Sequence, residues 1–162
     1  MTTSPNEDPI ELRPIGVVRD APDDLERVDW SDVESTIELI GEAAKAADEL
    51  TLELEEYTHL IVLGWLDRYP EELRNRHTAY PGGDSSLPLQ GALALRGPRP
   101  NPISVTVVEL LEIDGDEIDV RGLDLVAGTP ILDVKPYVAF YDSVHDAQMP
   151  EWAEGEPFEQ EQ

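Results

Sequence analysis

Arg96 and Arg99 flank Gly97-Pro98 in the stretch RGPRPNPIS, and Asn101 stands between two further prolines. Each proline fixes φ and lacks an N–H, so the stretch is neither helix interior nor central strand. Two guanidiniums and a carboxamide held this way suit an anion or carboxylate, because little side-chain freedom is left to lose on binding. A rigid connector with a salt-bridged turn accounts for the same residues, and composition does not separate the two readings. A second group joins Asp124 to Gly128-Thr129. Glycine there lets the backbone approach a ligand closely, and the Asp could accept hydrogen bonds from ribose hydroxyls or an amino group. Asp133 and Lys135 occupy alternate positions on one strand face, so a buried setting would require them to pair. His59, His77 and His145 lie too far apart in sequence for metal-ligand spacing. His59 reads as structural at a strand start, His77 lies in a long loop where it could reach a ligand, and His145 reads as surface. There is no GxGxxG after a strand, no P-loop, no GxSxG and no HExxH.

The chain that must position these groups has 162 residues, enough for one domain with a sizeable core. It has no cysteine, which excludes disulfides and thiolate zinc sites. No apolar run approaches the roughly 20 residues that cross a bilayer, and MTTSPNEDPIEL lacks the regions of a signal peptide. A soluble cytoplasmic protein, not a membrane protein, is expected. Asp and Glu number 36 against 11 Lys and Arg, a formal net charge of −25. Self-repulsion of that size strains a compact chain in dilute buffer, whereas at molar salt the Debye length falls to about 3 Å. The acidity is read as adaptation to a salt-rich cytoplasm, a halophilic trait and not a functional acidic tract. Such a surface ordinarily argues against nucleic acid, an inference that weakens where every protein of the cell is acidic; DNA is not expected as a partner. The clustering of Arg68, Arg74, Arg76, Arg96 and Arg99 carries more information than net charge.

Residues 1–9, polar with two prolines, are expected to be disordered, and 143–162 form an acidic tail from which Trp152 could dock. Between them, 10–142 should make one domain. Strands are expected through Val17-Val18, in TIELI, in the continuous apolar middle of EYTHLIVLGWLDRY, in GALALR up to Arg96, in ISVTVVELLEI, in EIDVRGL and after Gly128-Thr129-Pro130. Asp114-Gly115 between apolar runs predicts a hairpin. An Ala-rich helix or turn follows TIELI, and 70–90 is a long Gly- and Pro-rich loop. The expected fold is mainly β: a single-domain antiparallel β-barrel with short helices and long loops.

Four stretches, in this order, resemble the TsaA-like family, whose characterised member is a tRNA methyltransferase. Pro14 to Val18 match its PIGVV strand. EEYTHLIVLGWLD, Glu55 to Asp67, is similar to EEFSHLIVLYWFH. LRGPRPNPISVT, Leu95 to Thr106, is similar to TRSPxRPNPIGLT. GLDLVAGTPILDVKPY, Gly122 to Tyr137, is similar to GLDxxDGTPxLDIKPY. The resemblance covers roughly 12–142.

It implies an S-adenosyl-L-methionine-dependent methyltransferase built on a β-barrel and acting as a homodimer, with N6 of threonylcarbamoyl-adenosine at tRNA position 37 as acceptor. Carried over, Arg96, Val105, Asp67, Arg68 and the loop Leu125, Val126, Ala127 and Gly128 belong to the cofactor site. From the chain's own residues, Arg99, Asn101 and His77 are the candidate substrate contacts, and Asp124 and Asp133 the candidates to take the proton from N6. Four positions depart from the family pattern. LERVDW stands where the family has a PRQ segment, Asp67 replaces a histidine, Ala127 replaces an aspartate, and the proline loop is one residue shorter with Gly97 for serine. The departures also suit a paralogue methylating a small molecule, or a module that binds the cofactor or a nucleoside without turnover.

Overall fold

The computed structural model describes residues 8–24 and 29–154. The expected disorder at 1–9, most of LERVDW and the end of the acidic tail therefore fall largely outside the described residues. The chain divides into two compact units, Met1–Arg68 with Ile103–Tyr137, and Tyr69–Pro102 with Val138–Gln162.

The first unit is a closed antiparallel barrel. Its strands are β1 (Gly16–Arg19), β2 (Glu34–Leu39), β3 (His59–Trp65), β6 (Ile103–Asp114), β7 (Glu117–Arg121) and β8 (Pro130–Pro136), in the ring order β1-β2-β7-β6-β3-β8. Closure leaves no free sheet edge. Alternation puts Leu60 and Val62 of β3, Val108 of β6 and Ile118 and Val120 of β7 inside, with Val18, Ile37 and Ile131, and all of these are buried.

The alternation in β6 slips once. Leu110 pairs with Val120 and Glu112 with Asp119, leaving Leu111 as a bulge. Without it Glu112 would point into the barrel; with it Ile113, opposite Ile118, returns to the interior and Glu112 to solvent. The predicted hairpin joins β6 to β7, with Asp114 opposite Glu117. On the barrel wall Arg121 bridges Glu34 of β2 at 2.7 Å and Glu109 of β6 at 2.6 Å. Between β2 and β3 the Ala-rich segment forms two short helices, α1 (Gly41–Lys45) and α2 (Ala47–Leu50), which bury Ala47.

The second unit holds α3 (Glu71–Arg74), the two-stranded β4 (Thr78–Ala79) and β5 (Gln90–Gly91), and α4 (Ala139–Asp142). Trp152 is half-buried in a 3-10 turn. The expected strand GALALR is the one element that does not form. Gln90-Gly91 pair with Thr78-Ala79, and Ala92–Ala94 then turn as 3-10 helix. The reason lies in the elbow: the Arg99 guanidinium collects the carbonyls of Ala92 and Leu95, and a backbone so used cannot run on as a ladder. Among the described residues no helix is long and apolar enough to cross a membrane.

Candidate functional site

The loop between β7 and β8 carries the second group of chemistry-bearing residues. Leu123 and Leu125 are buried, so the loop is pinned to the core by alternate side chains and exposes Asp124 between them. Val126 to Thr129 close a turn: the Thr129 N–H and hydroxyl both donate to the Val126 carbonyl, at 3.2 and 2.7 Å. Gly128 is the third residue of that turn at φ 87°, a conformation that strains an L side chain, and nothing lies within 4 Å of where its Cβ would stand. With Ala127 beside it, the turn presents nearly bare backbone.

The rest of the first unit holds this loop from several directions. The Gly128 N–H donates to the Val18 carbonyl at 2.9 Å, and the Val18 N–H to the Thr129 carbonyl at 3.0 Å. The Ala127 N–H donates to the Pro22 carbonyl at 3.3 Å. Arg68, three residues beyond β3, donates through Nη2 to the Ala127 carbonyl at 3.0 Å and through Nη1 to the Asp23 carbonyl at 3.2 Å. The Thr106 hydroxyl donates to the Asp124 carboxylate at 2.5 Å. Gly64 interrupts the apolar run of β3 because the loop passes there. A Cβ at that position would lie 2.7 Å from Leu125 Cδ1 and 2.8 Å from Ser104 Oγ, the oxygen that accepts the Gly64 N–H at 3.1 Å.

Structure therefore gathers Arg68, Asp124, Leu125, Val126, Ala127 and Gly128 into one arrangement, with Asp67 exposed beside Arg68. It sets two of the residues named from sequence apart. Val105 lies opposite Leu63 on the outer face of β6, 45% exposed, away from the inward Ser104 and Thr106. Asp133 lies opposite Leu63 on β8; its Oδ2 meets Lys135 Nζ at 2.6 Å and its Oδ1 accepts the Val134 N–H at 3.0 Å. The pairing expected for a buried setting is thus present on a half-exposed face.

Arg96, Arg99, Asn101 and His77 belong to the second unit. Arg99 folds back on its own elbow, donating through Nε to the Gly97 carbonyl at 3.2 Å and through Nη2 to the carbonyls of Ala92 and Leu95. Arg74 donates through Nε and Nη2 to the Pro100 carbonyl at 3.3 and 3.2 Å. Arginines shape this loop as the prolines do. Arg96, Asn101 and His77 are exposed, and the His77 carbonyl accepts the Ala92 N–H at 2.8 Å. Of the five clustered arginines, Arg68 lies in the barrel unit and the other four in the second.

Two open depressions on the barrel wall contain none of the residues named from sequence. One, of about 350 Å³, is lined by Asp20, Glu34, Glu112 and Asp119 among others; the second, of about 220 Å³, lies between Glu55–Thr58 and the bulged part of β6. No group of three or more His, Cys, Asp and Glu among the described residues is disposed to hold a metal ion. Sequence reading missed Thr106 and Gly64. A glycine inside LIVLGW was the available signal for the second, since strand glycines mark close approach.

A ligand matched to this loop would be flat enough to lie on bare backbone, hydroxylated or cationic enough for Asp124, and partly apolar. S-adenosyl-L-methionine, with its adenine, ribose and sulfonium, has that chemistry, so the residues present fit it. Residues 19–143 match the family described as the tRNA-methyltransferase O N-terminal domain. A "Probable S-adenosyl-L-methionine-binding protein" of Methanothermobacter thermautotrophicus is 38% identical over 143 residues, covering 83% of this chain and 95% of its own. One of Archaeoglobus fulgidus with the same description is also 38% identical, over 91% of this chain, which spans 39% of that relative's length. A mouse "tRNA (adenine(37)-N6)-methyltransferase" is 36% identical over 56% of this chain and 21% of its own. The crystal structure of TrmO from Pseudomonas aeruginosa superposes with a TM-score of 0.68 at 27% identity, over 87% of this chain and 62% of that one. On the match over residues 19–143 and this identity to relatives, the chain belongs to the tRNA-methyltransferase O N-terminal domain family.

Proposed function

We propose that the protein is an S-adenosyl-L-methionine-dependent methyltransferase acting on N6 of the adenosine, in its threonylcarbamoyl form, at tRNA position 37. The observation that carries this reading is the bare glycine turn Val126–Thr129, held beside the exposed Asp124 carboxylate in a chain of this family. When bound, the cofactor supplies an electrophilic methyl group on a sulfonium. The chain's own part is alignment and exclusion of water, because charge is dispersed as methyl transfer proceeds and little charge remains for side chains to stabilise.

Leu125 to Gly128 would seat the cofactor, with Asp67 facing its cationic or hydroxyl groups. The proton leaving N6 needs an acceptor. Asp124 suits this better than Asp133, since both oxygens of Asp133 already serve Lys135 and Val134. Arg96 remains assigned to the cofactor and Asn101 and His77 to the substrate, whereas Arg99, occupied by three carbonyls, acts by shaping the elbow. The exposed Val105 and Val107 on the outer face of β6 support a homodimer, and tRNA as substrate would place the work in the cytoplasm.

One observation favours a second reading, a module that binds the cofactor without turnover. The relative that this chain nearly spans end to end is described by binding alone, whereas the chain spans 62% of the TrmO structure. Calorimetric titration with S-adenosyl-L-methionine in molar potassium chloride, followed by methyl transfer to tRNA lacking the position-37 methyl group, separates these. Micromolar binding with transfer is expected, and Arg96→Ala should weaken binding without unfolding the chain. Binding without transfer would leave the second reading, and no binding at millimolar cofactor would remove both.

A further inference from the structure

We propose that Arg68 is a positioning residue, which sets the Ala127-Gly128 turn for its ligand by bridging two backbone carbonyls. The inference rests on the reading above that Leu125–Gly128 seat S-adenosyl-L-methionine. Ala127 has a methyl side chain and cannot anchor itself, so its place is fixed through its peptide groups. Both are tied to one stretch of chain. Its N–H donates to the Pro22 carbonyl, and its carbonyl accepts from Arg68, whose second nitrogen donates to the Asp23 carbonyl. A chain with 36 acidic residues spends this arginine on carbonyls, and among the described residues Arg68 forms no ion pair.

The planar fork explains why the residue is arginine. Its two terminal nitrogens point at the two carbonyls at once, whereas a lysine ammonium is a point charge on a flexible stem. Rigidity also matters for affinity, because a turn ordered beforehand need not be ordered by the ligand. The side chain is exposed, so its charge is not desolvated and its effect is local to the turn.

The test uses the full chain in molar potassium chloride, with Arg68→Ala and Arg68→Lys beside the wild type. Hydrogen exchange of the Ala127 amide and calorimetric affinity for S-adenosyl-L-methionine are measured together. In Arg68→Ala the Ala127 amide should exchange about tenfold faster and affinity should fall about tenfold, while the Val62 amide in the barrel wall keeps its protection. Arg68→Lys should recover part of both losses. Unchanged exchange at Ala127 would overturn the proposal; with lowered affinity it would mean that Arg68 touches the ligand directly. Faster exchange with unchanged affinity would overturn it too, since the turn would then not matter for the cofactor. Failure of the wild type to bind would remove the functional reading itself, a result visible before any variant is made.

Discussion

Gly64→Ala is a substitution whose outcome the geometry of the loop after β7 constrains. The added Cβ would stand 2.7 Å from Leu125 Cδ1 and 2.8 Å from Ser104 Oγ. Nonbonded carbons settle at about 3.5–4.0 Å, so Leu125 must retreat by roughly 1 Å. It cannot retreat into solvent, being only 2% exposed. Ser104 is equally constrained, because its Oγ accepts the Gly64 N–H and moving it breaks that bond. Overpacking of this kind costs about 1–3 kcal/mol. For a chain of this size that lowers Tm by roughly 2–12 °C. Thermal unfolding in molar potassium chloride measures it, and a wild-type Tm would refute the reasoning. The sharper test pairs it with Leu125→Ala, which by itself opens a cavity and costs about 2–5 kcal/mol. Since that change deletes Cδ1, the cost of Gly64→Ala on its background should drop by at least about 1 kcal/mol. Plain additivity would show that Leu125 is not the obstacle.

Two further outcomes concern other parts of the chain. Arg99→Ala removes the bonds to the carbonyls of Ala92, Leu95 and Gly97; with about 1 kcal/mol for each lost bond, cleavage of the 92–99 elbow by a protease of broad specificity should accelerate at least tenfold, and an unchanged rate would contradict its shaping role. Asp29 caps the turn Trp30–Asp32, and hydrogen bonds from the Ser31 hydroxyl, then its N–H, hold the carboxyl below its ordinary value. A depressed carboxyl stabilises above its unfolded value, near 3.8, and loses that contribution as pH falls through the folded one. The Ser31 amide resonance should therefore stay constant from pH 7 to about 4.5 and shift below it, with Asp29→Ala abolishing the shift; a midpoint above the ordinary value would contradict the cap.

The barrel was legible wherever side-chain alternation and turn chemistry agreed. ISVTVVELLEI followed by Asp114-Gly115 gave β6 and its hairpin, but the bulge at Leu111 was not read from it. GALALR misled because its residues are compatible with a strand; the arginine that claims its carbonyls comes later in the chain, and no local pattern announces it. The same holds for the site. Asp124 and Gly128 could be picked out because their types speak for themselves. Arg68 could be picked out from its place in the arginine cluster and from family resemblance, but not its role: its partners are carbonyls 45 and 59 residues away, which carry no side-chain signature.

The choice of carbonyls by Arg68 and Arg99 has a consequence for ionic strength. A bond to a carbonyl dipole acts at contact range, inside the roughly 3 Å over which charge is felt in molar salt. The long-range repulsion within a net charge of −25 responds instead to every change in screening. Dilution therefore acts on the two differently: mutual repulsion loads the barrel wall, while the arginine-tied loops keep their local geometry until the fold beneath them gives way. A salt titration should thus lower the unfolding temperature of the whole chain well before it alters ligand affinity in the fraction still folded.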